Sequence, residues 1–324
     1  MRSPRRIEAT ATPDPNAPRA WMGVIFGPDS KYLRTLYHAP SEDVRALVLA
    51  VLPDQPADKA GLQVGDWVVA VNGKPARNNA DVVGPVRASS PGAVFRLRVV
   101  HDGQEREIRV RVEARPGNAD RRFFEHLTDR IRADNQDALA YLLRADMWPS
   151  DQIENSLADY GRAIALAPEL EVAYEERASI YLGMGEVEKA AADASRALEL
   201  DPSRRAAYVV RATAYASLGR NDEAIADSTR ALEMAQEPLA YALRGQAYLQ
   251  RARQGDLQRA IEDETQALAL APFYPFPYYI RGLAYAQVGQ INQAIFDLKQ
   301  HIYLAPFSQS ATAARGRLRQ LTWH

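Results

Sequence analysis

The sequence predicts a multidomain fold, a small α+β domain followed by an all-α solenoid, and three observations predict it. Between residues 21 and 112, short runs rich in β-branched and aromatic residues indicate strands separated by turns. Between residues 137 and 308, one pattern of about 34 residues occurs five times, which is typical of stacked helical hairpins. Between these parts, the sequence ARPGNAD at 114–120 contains the Pro and Gly of a linker. A chain of 324 residues has room for both parts.

The repeats have the spacing and the apolar pattern of helical pairs. Their leading residues are separated by 34, 34, 33 and 37 positions, and these residues are Ala140, Tyr174, Tyr208, Tyr241 and Tyr278. Apolar residues recur at intervals of three and four, small residues let two helices approach, and Pro ends the second helix. The pattern resembles the tetratricopeptide repeat (TPR), which implies five stacked hairpins over 137–308. The three extra residues of the fourth repeat fall in LQRARQGDL, as a loop or an extra helical turn.

A charge pattern runs through the repeats. The seventh position is Leu143 in the first copy and Arg in the others, whereas the twenty-third position is always Asp. The residues are Arg177, Arg211, Arg244, Arg281, Asp159, Asp193, Asp227, Asp263 and Asp297. We expect each Asp to pair with the Arg of the next repeat, which would leave Arg315 for Asp297 and make 309–324 a C-terminal capping helix. The alternative is pairing within repeats, which would leave Asp159 without its Arg.

The N-terminal part contains a second family pattern in LVLAVLPDQPADKAGLQVGDWVVAVNGKPARNNADVV at 47–83. It resembles the PDZ domain of the bacterial type found in high-temperature-requirement and carboxy-terminal-processing proteases. The matching residues are Pro53, Pro56, Ala57, Ala60, Gly61, Leu62, Gly65, Asp66, Val71, Asn72 and Gly73. Most of them shape a helix end and turns. The resemblance implies a small β-barrel-like α+β domain over 21–113.

The PDZ resemblance also implies a site, in which a peptide adds a strand to a sheet edge and a loop of backbone N–H groups receives its carboxylate. The loop would be Trp21-Met22-Gly23-Val24, which is similar to the Gly-Φ-Gly-Φ loop of the family with Trp in place of the first Gly. The groove helix would be 79–87, with an apolar pocket for a small or medium apolar last residue. The predicted peptide-binding residues are Trp21, Met22, Gly23, Val24, Ile25, Phe26, Val82, Val83 and Val86. The alternative is that WMGVIF is only a core strand. For the segment 27–44, between this strand and the next, the sequence leaves two places open, in the groove or over it.

The TPR resemblance implies a second surface, the inner face of the solenoid. This face is mostly apolar or neutral and lacks the Lys and Asn residues with which some TPR proteins bind acidic chaperone tails. The predicted residues are Tyr141, Trp148, Glu175, Val209, Gln246, Phe276, Tyr279 and Leu283. In the aromatic cluster 273–279 we expect packing between repeats, with Phe276 and Tyr279 as the exposed members. The amphipathic stretch 121–135, within a linker and capping region of 114–136, predicts a helix that caps the first repeat; the alternative is a partner-binding helix.

Composition and motifs exclude other classes of function. The net charge of −1 gives no electrostatic case for nucleic acid, and the absence of Cys excludes thiolate metal sites and nucleophiles. The longest apolar run, 46–52, is too short to span a bilayer. Residues 1–20 have no apolar core, so we expect a disordered tail and a cytoplasmic chain, or an exported or anchored chain if the true start lies upstream.

No catalytic motif stands out, because G-x-S-x-G, H-E-x-x-H and phosphate-binding loops are missing and the five His are scattered. We expect no catalytic residue, metal, cofactor or small-molecule substrate. The sequence therefore predicts an adaptor or scaffold, with a PDZ groove for a free C-terminus or extended segment and a TPR face for a second protein. The alternative is the substrate-recognition or regulatory component of a PDZ-containing serine protease system whose catalytic domain is absent from this chain.

Overall fold

The computed structural model describes residues 19–322, and the chain divides into two compact units at Met147. Most of the predicted N-terminal tail, 1–18, lies outside the described residues, as do 323–324. Its last residue, Ala20, already belongs to a strand. The predicted combination of a small β-rich domain and a helical solenoid is confirmed.

The first unit begins with eight short strands among residues 19–147. They are β1 Ala20–Trp21, β2 Val24–Phe26, β3 Val48–Val51, β4 Trp67–Val71, β5 Lys74–Pro75, β6 Val94–His101, β7 Gln104–Arg111 and β8 Glu113–Ala114. They form an antiparallel sheet in the order β5-β4-β6-β7 and the antiparallel pairs β2-β3 and β1-β8. At the β6–β7 turn, Asp102 and Gly103 have φ of +46° and +77°, as a two-residue hairpin turn requires.

Three helices pack on these strands, and apolar residues from both fill one core. The helices are α1 Lys31–Leu36, α2 Pro56–Lys59 and α3 Asn79–Arg87. Val48, Val68 and Leu97 are fully buried in this core. Asp66, also fully buried, accepts bonds from Arg106 at 2.7 and 3.0 Å and lies 3.0 Å from the ring Nδ1 of His101. A buried carboxylate is tolerated here because its oxygens are hydrogen-bonded.

Two further helices complete the first unit, α4 Ala119–Ala133 and α5 Ala138–Ala145. The predicted stripe on α4 is present, since Phe123 and Leu127 are buried. Asp137 is the N-cap of α5 and accepts from the N–H of Ala140 at 2.9 Å. The Oδ2 atom of Asp137 also pairs with Arg130 of α4 at 2.7 Å, so one carboxylate joins the two helices.

In the described residues of the second unit, 148–322, all regular secondary structure is helical. After a 3-10 turn at Ser150–Gln152 come α6 Ile153–Leu166, α7 Glu171–Gly183, α8 Val187–Leu200, α9 Arg205–Ser217, α10 Asn221–Met234, α11 Pro238–Arg251, α12 Asp256–Leu270, α13 Pro275–Gln287, α14 Ile291–Leu304 and α15 Gln309–Thr322. Small residues lie where paired helices meet, and Ala178, Ala212, Ala224 and Ala260 are fully buried. The three extra residues of the fourth repeat lengthen α11, its loop and α12 by one residue each, relative to α7, its loop and α8.

The Arg–Asp pairs form within repeats, so the prediction of pairing between repeats was wrong. Each guanidinium makes two bonds of 2.7 to 2.9 Å to the carboxylate on the second helix of its own repeat. The pairs are Arg177–Asp193, Arg211–Asp227, Arg244–Asp263 and Arg281–Asp297. The predicted Asp297–Arg315 pair was therefore also wrong, and Arg315 donates to the carbonyl of Pro306 at 2.7 Å.

The same arginines still connect neighbouring repeats through a third nitrogen. Nη1 of Arg211 donates to the hydroxyl of Ser195 in the preceding repeat at 3.2 Å, and the Arg244–Thr229 and Arg281–Thr265 contacts are equivalent. This is possible because a guanidinium has five donors in a fixed fork, so the carboxylate occupies only one edge. In the first repeat the indole Nε1–H of Trp148 donates to Asp159 at 2.7 Å.

Candidate functional site

A cavity of about 540 Å³ lies in the first unit between β2 and α3. We call it the groove. On one side it is lined by Ala20, Trp21, Met22, Val24, Ile25 and Phe26, and on the α3 side by Asn79, Val83, Val86 and Arg87. The structure thus brings seven of the nine predicted peptide-binding residues to one cavity, and the exceptions are Gly23 and Val82.

Some backbone N–H and C=O groups of β2 point away from β3. The carbonyl of Gly23 accepts from the N–H of Leu52 at 2.9 Å, and the N–H of Gly27 donates to the carbonyl of Leu47 at 2.7 Å. Because the backbone groups of successive residues in a strand point to opposite edges, those of Val24 and Phe26 face away from β3. This edge has the geometry that an added strand requires.

Gly23 shapes the loop although it does not line the cavity. Its φ is +80°, and a Cβ there would lie 2.5 Å from the Cβ of Gln55. Any side chain would therefore both strain the backbone and clash with its neighbour. The preceding residue, Met22, is 2% exposed, and its carbonyl accepts from the N–H of Ala57 at 2.9 Å. The loop is fixed to α2 and the core.

Helix α3 runs in the opposite direction to β2 across the groove. At its start, the side-chain amide of Asn79 donates to the carbonyl of Gly27 at 2.8 Å. The helix also packs against β1. Val83 is half-buried at the cavity and Val86 is 4% exposed. Val82 belongs to the core cluster and is fully buried, because it lies on the inner face of the helix.

Helix α4 supplies a third wall of the groove, which sequence reasoning missed. The remaining lining residues are Arg19, Arg115, Asp120, Phe123 and Met147. The ring of Phe123 meets the ring of Trp21 edge-on, with centroids 6.0 Å apart and an interplanar angle of 88°. The only signal for this contact in the sequence was the apolar stripe of α4, which also suits a simple cap.

The far end of α4 is attached to the same pair of strands. Ile25 pairs with Ala50 and Phe26 with Val48, so Leu49 is the extra residue of a bulge in β3. Nη1 of Arg130 donates to the carbonyl of Leu49 at 3.0 Å. Helix α4 is therefore held beside the groove by an aromatic contact near its start and by a hydrogen bond near its end.

The segment 27–44, predicted to contribute to the groove or cover it, does not line the cavity. It forms α1, whose Leu33 is fully buried, and the carbonyl of Tyr37 accepts from the indole of Trp67 at 2.7 Å. Burial raises the pKa of the Tyr37 phenol. The segment packs on the core instead of over the groove.

The predicted residues of the solenoid face are mostly half-buried. These are Tyr141, in the first unit, and Trp148, Val209, Gln246, Phe276, Tyr279 and Leu283, in the second. Glu175 is different, because it is 4% exposed and accepts bonds from Arg204 at 2.5 and 3.0 Å and from the N–H of Ala207 at 3.1 Å. It therefore joins two neighbouring repeats and does not present a free carboxylate.

The prediction that Phe276 and Tyr279 are the exposed members of the aromatic cluster was wrong. Tyr279 packs against both Phe276 and the buried His301, with centroid distances of 6.4 and 5.2 Å. Among the Phe, Tyr and Trp residues of 19–322, the exposed ones are Phe273, Phe296, Tyr303 and Phe307, of which Phe307 is fully exposed.

No group of three or more His, Asp or Glu among residues 19–322 is arranged to hold a metal ion. No helix in that range has the length and the apolar character needed to cross a membrane.

Comparison with protein-family models now identifies both modules. The PDZ domain model matches residues 47–100, and the tetratricopeptide repeat model matches 172–204, 206–238 and 277–308. The chain therefore carries a PDZ domain followed by TPR repeats, which confirms both resemblances, and it is built from modules typical of protein interaction.

Curated relatives match only a part of the chain. A probable periplasmic serine endoprotease DegP-like from Ectopseudomonas mendocina (strain ymp) is 37% identical over 103 residues, which are 32% of this chain and 22% of the relative. The protein of the same name from Pseudomonas fulva (strain 12-X) is 36% identical over 31% of this chain and 21% of its own length. The chain thus spans about a fifth of the length of these relatives, in their PDZ part.

Solved structures resemble the solenoid. YrrB, described as a TPR protein with an unusual peptide-binding site, has a TM-score of 0.50 and 22% identity over 60% of this chain and 99% of its own. A tetratricopeptide repeat protein from Parabacteroides merdae has a TM-score of 0.52 and 18% identity over 64% of this chain and 81% of its own. At these identities the likeness shows the fold.

Proposed function

We propose that this chain is a protein-interaction adaptor whose groove binds the C-terminal segment of a partner as an added strand. The observation that carries the proposal is the combination of a cavity between β2 and α3 with backbone groups of Val24 and Phe26 that face away from β3. An extended peptide seated there would bond to this edge, and main-chain bonds would supply affinity for many sequences.

The carboxylate of the peptide would lie at the loop Trp21-Met22-Gly23-Val24, where the left-handed conformation of Gly23 turns the chain. The side chain of the last residue would enter between β2 and α3 beside Val83 and Val86. Since both are apolar and Val86 is nearly buried, a small or medium apolar side chain fits this position.

The solenoid would bind a second protein. Its predicted inner-face residues are mostly half-buried and mostly neutral, which suits a peptide or helix bound through apolar and hydrogen-bonding contacts. YrrB, the similar TPR protein, is described as having a peptide-binding site, which supports the assignment of a binding role here. Linking two sites in one chain raises the local concentration of one partner around the other.

A second candidate function is substrate recognition for a serine protease whose catalytic domain belongs to another chain. The relatives named serine endoproteases favour it, since the shared segment is the PDZ part. Incubation of the full chain with casein tests whether the chain itself cleaves protein. Under both candidates we expect no cleavage, and cleavage would refute the non-catalytic assignment.

Binding of fluorescent peptides tests the groove. A library with free C-termini and the same library with amidated C-termini are titrated with the full chain. We expect binding of free forms only, and loss of that binding in Gly23→Glu. Gly73→Glu is the matched control, since Gly73 also has φ of +80° but a Cβ there meets nothing within 4 Å.

Because Gly23→Glu can disturb folding, a second pair of variants tests the opposite wall. Val83→Gln places a polar group at the groove, whereas Gly84→Gln changes the adjacent exposed residue of α3, which does not line the cavity. Equal binding by both variants, or equal binding of free and amidated peptides, would contradict the proposed mode.

A further inference from the structure

Three arginines line the groove at one end. Arg19 precedes β1, Arg87 is the last residue of α3, and Arg115 follows β8. The pairing of β1 with β8 continues into a bond of 2.8 Å from the N–H of Arg115 to the carbonyl of Arg19, which places these two residues side by side.

The third arginine, Arg87, lies at the same end because of the direction of α3. The helix starts at Asn79, which bonds to Gly27 beyond the end of β2, and it packs against β1 further along. Its last residue is therefore on the side of Trp21, where the predicted carboxylate loop begins. All three guanidinium groups belong to the end of the groove that would hold the terminus of the peptide.

The acidic residues at this end do not balance the positive charge. Asp120 is the only acidic residue that lines the described cavity, and it accepts from Arg115 at 2.6 Å. The side chains of Arg19 and Arg87 have no hydrogen-bonded or ionic partner within residues 19–322. An α-carboxylate brings one negative charge, so one of these two cations is left without a counter-charge.

We propose that the groove selects C-termini with a second negative charge, an Asp or Glu at the penultimate position; this rests on the proposed peptide-binding function. Side chains of an extended peptide alternate between two sides. With the last side chain in the cavity beside Val83 and Val86, the penultimate side chain points out of the cavity toward solvent, where the long side chains of Arg19 and Arg87, both exposed residues, can reach it. A carboxylate there pairs with the cation that the terminal carboxylate leaves free.

The test uses the full chain and pairs of fluorescent peptides that differ only at the penultimate residue, Asp in one and Asn in the other, with Val last and a free C-terminus. At low salt we expect the Asp peptide to bind about three- to tenfold more tightly, as for a partly exposed ion pair, and the ratio to shrink as salt is added.

The variant Arg19→Gln/Arg87→Gln should reduce this ratio to about one. Arg96→Gln, which removes an equal charge from an exposed position of β6 outside the groove, should leave the ratio unchanged. Equal binding of the Asp and Asn peptides by the unaltered chain would overturn the acidic preference while leaving the groove in place, provided that amidated peptides still fail to bind. No binding of any peptide would overturn both proposals.

Discussion

Glu264 gives the sharpest prediction about stability, because it is a buried carboxyl without a partner. It is fully buried on α12, and neither of its oxygens has a hydrogen-bond partner among residues 19–322. Its Oε1 lies 2.6 Å from the point where a Cβ on Gly245 would be, so the carboxyl occupies the space that this glycine leaves between α11 and α12. Burial raises the pKa of Glu264 well above its usual value, Asp263 raises it further, and Arg281 lowers it.

The sign of the pH dependence follows from this pKa. The folded state holds the proton of Glu264 more tightly than the unfolded state, whose pKa is about 4.3. The folded state is therefore favoured most below that pH, and the free energy of unfolding falls as the pH rises toward the folded pKa. Within that interval each pH unit removes up to about 1.4 kcal/mol.

The substitution Glu264→Gln keeps the shape and removes the ionisation. We expect it to leave stability nearly unchanged at about pH 4 and to raise the free energy of unfolding on the order of 2 kcal/mol at about pH 7. Urea unfolding followed by helical circular dichroism at both pH values measures the difference. Glu262→Gln is the matched control, since Glu262 is exposed on the same helix, and its effect should stay within about 0.5 kcal/mol.

The outcome that refutes this reasoning is an effect of Glu264→Gln that is the same at both pH values. The ionisation of the carboxyl would then contribute nothing to stability, and the side chain would affect packing alone.

Two other predictions concern a contact that sequence reasoning missed, between Phe123 and Trp21, and one that it gave only as the alternative, between Arg211 and Asp227. Phe123→Ala should weaken peptide binding by about three- to tenfold, because an aromatic contact worth about 0.5 to 1.5 kcal/mol supports Trp21 at the groove. Leu127→Ala is the control, since Leu127 is also buried on α4 but outside the groove, and it should lower stability without this loss of binding. Equal peptide affinities of the two variants in titration would contradict the role of α4 as the third wall. Arg211→Lys should lower the free energy of unfolding by about 1 to 3 kcal/mol, because a Lys cannot make the two bonds to Asp227; a urea midpoint unchanged from the parent chain would contradict the role of the fork.

The sequence predicts those helices and strands that are determined by residues close to them in the chain. Helix α3 begins and ends as predicted, at Asn79 and Arg87, because a capping Asn and an apolar face are visible in the sequence. The five-fold pattern predicts the paired helices for the same reason. The groove could be predicted only through the family resemblance, because the edge of β2 is created by its pairing with β3 from a distant part of the chain.

The partner of each repeat arginine could not be predicted from the spacing alone. Arg211 is 18 residues after Asp193, in the preceding repeat, and 16 residues before Asp227, in its own repeat. The two carboxylates are therefore at nearly the same distance from Arg211 in the sequence. The structure resolves the choice through the shape of the guanidinium, which gives one edge to Asp227 and Nη1 to Ser195. A residue pattern shows which charges are present, whereas the orientation of the fork depends on how the helices pack.

Helix α4 contacts both the groove and α5, the first helix of the first repeat. Near its start, Phe123 packs on Trp21, and near its end, Arg130 bonds to the bulged strand at Leu49 and pairs with Asp137, the N-cap of α5. A shift of α4 would change the shape of the groove and the capping of α5 together. The stretch predicted as a linker and cap therefore forms part of the groove, and a fragment that ends at residue 113 would lack one of the walls of the groove.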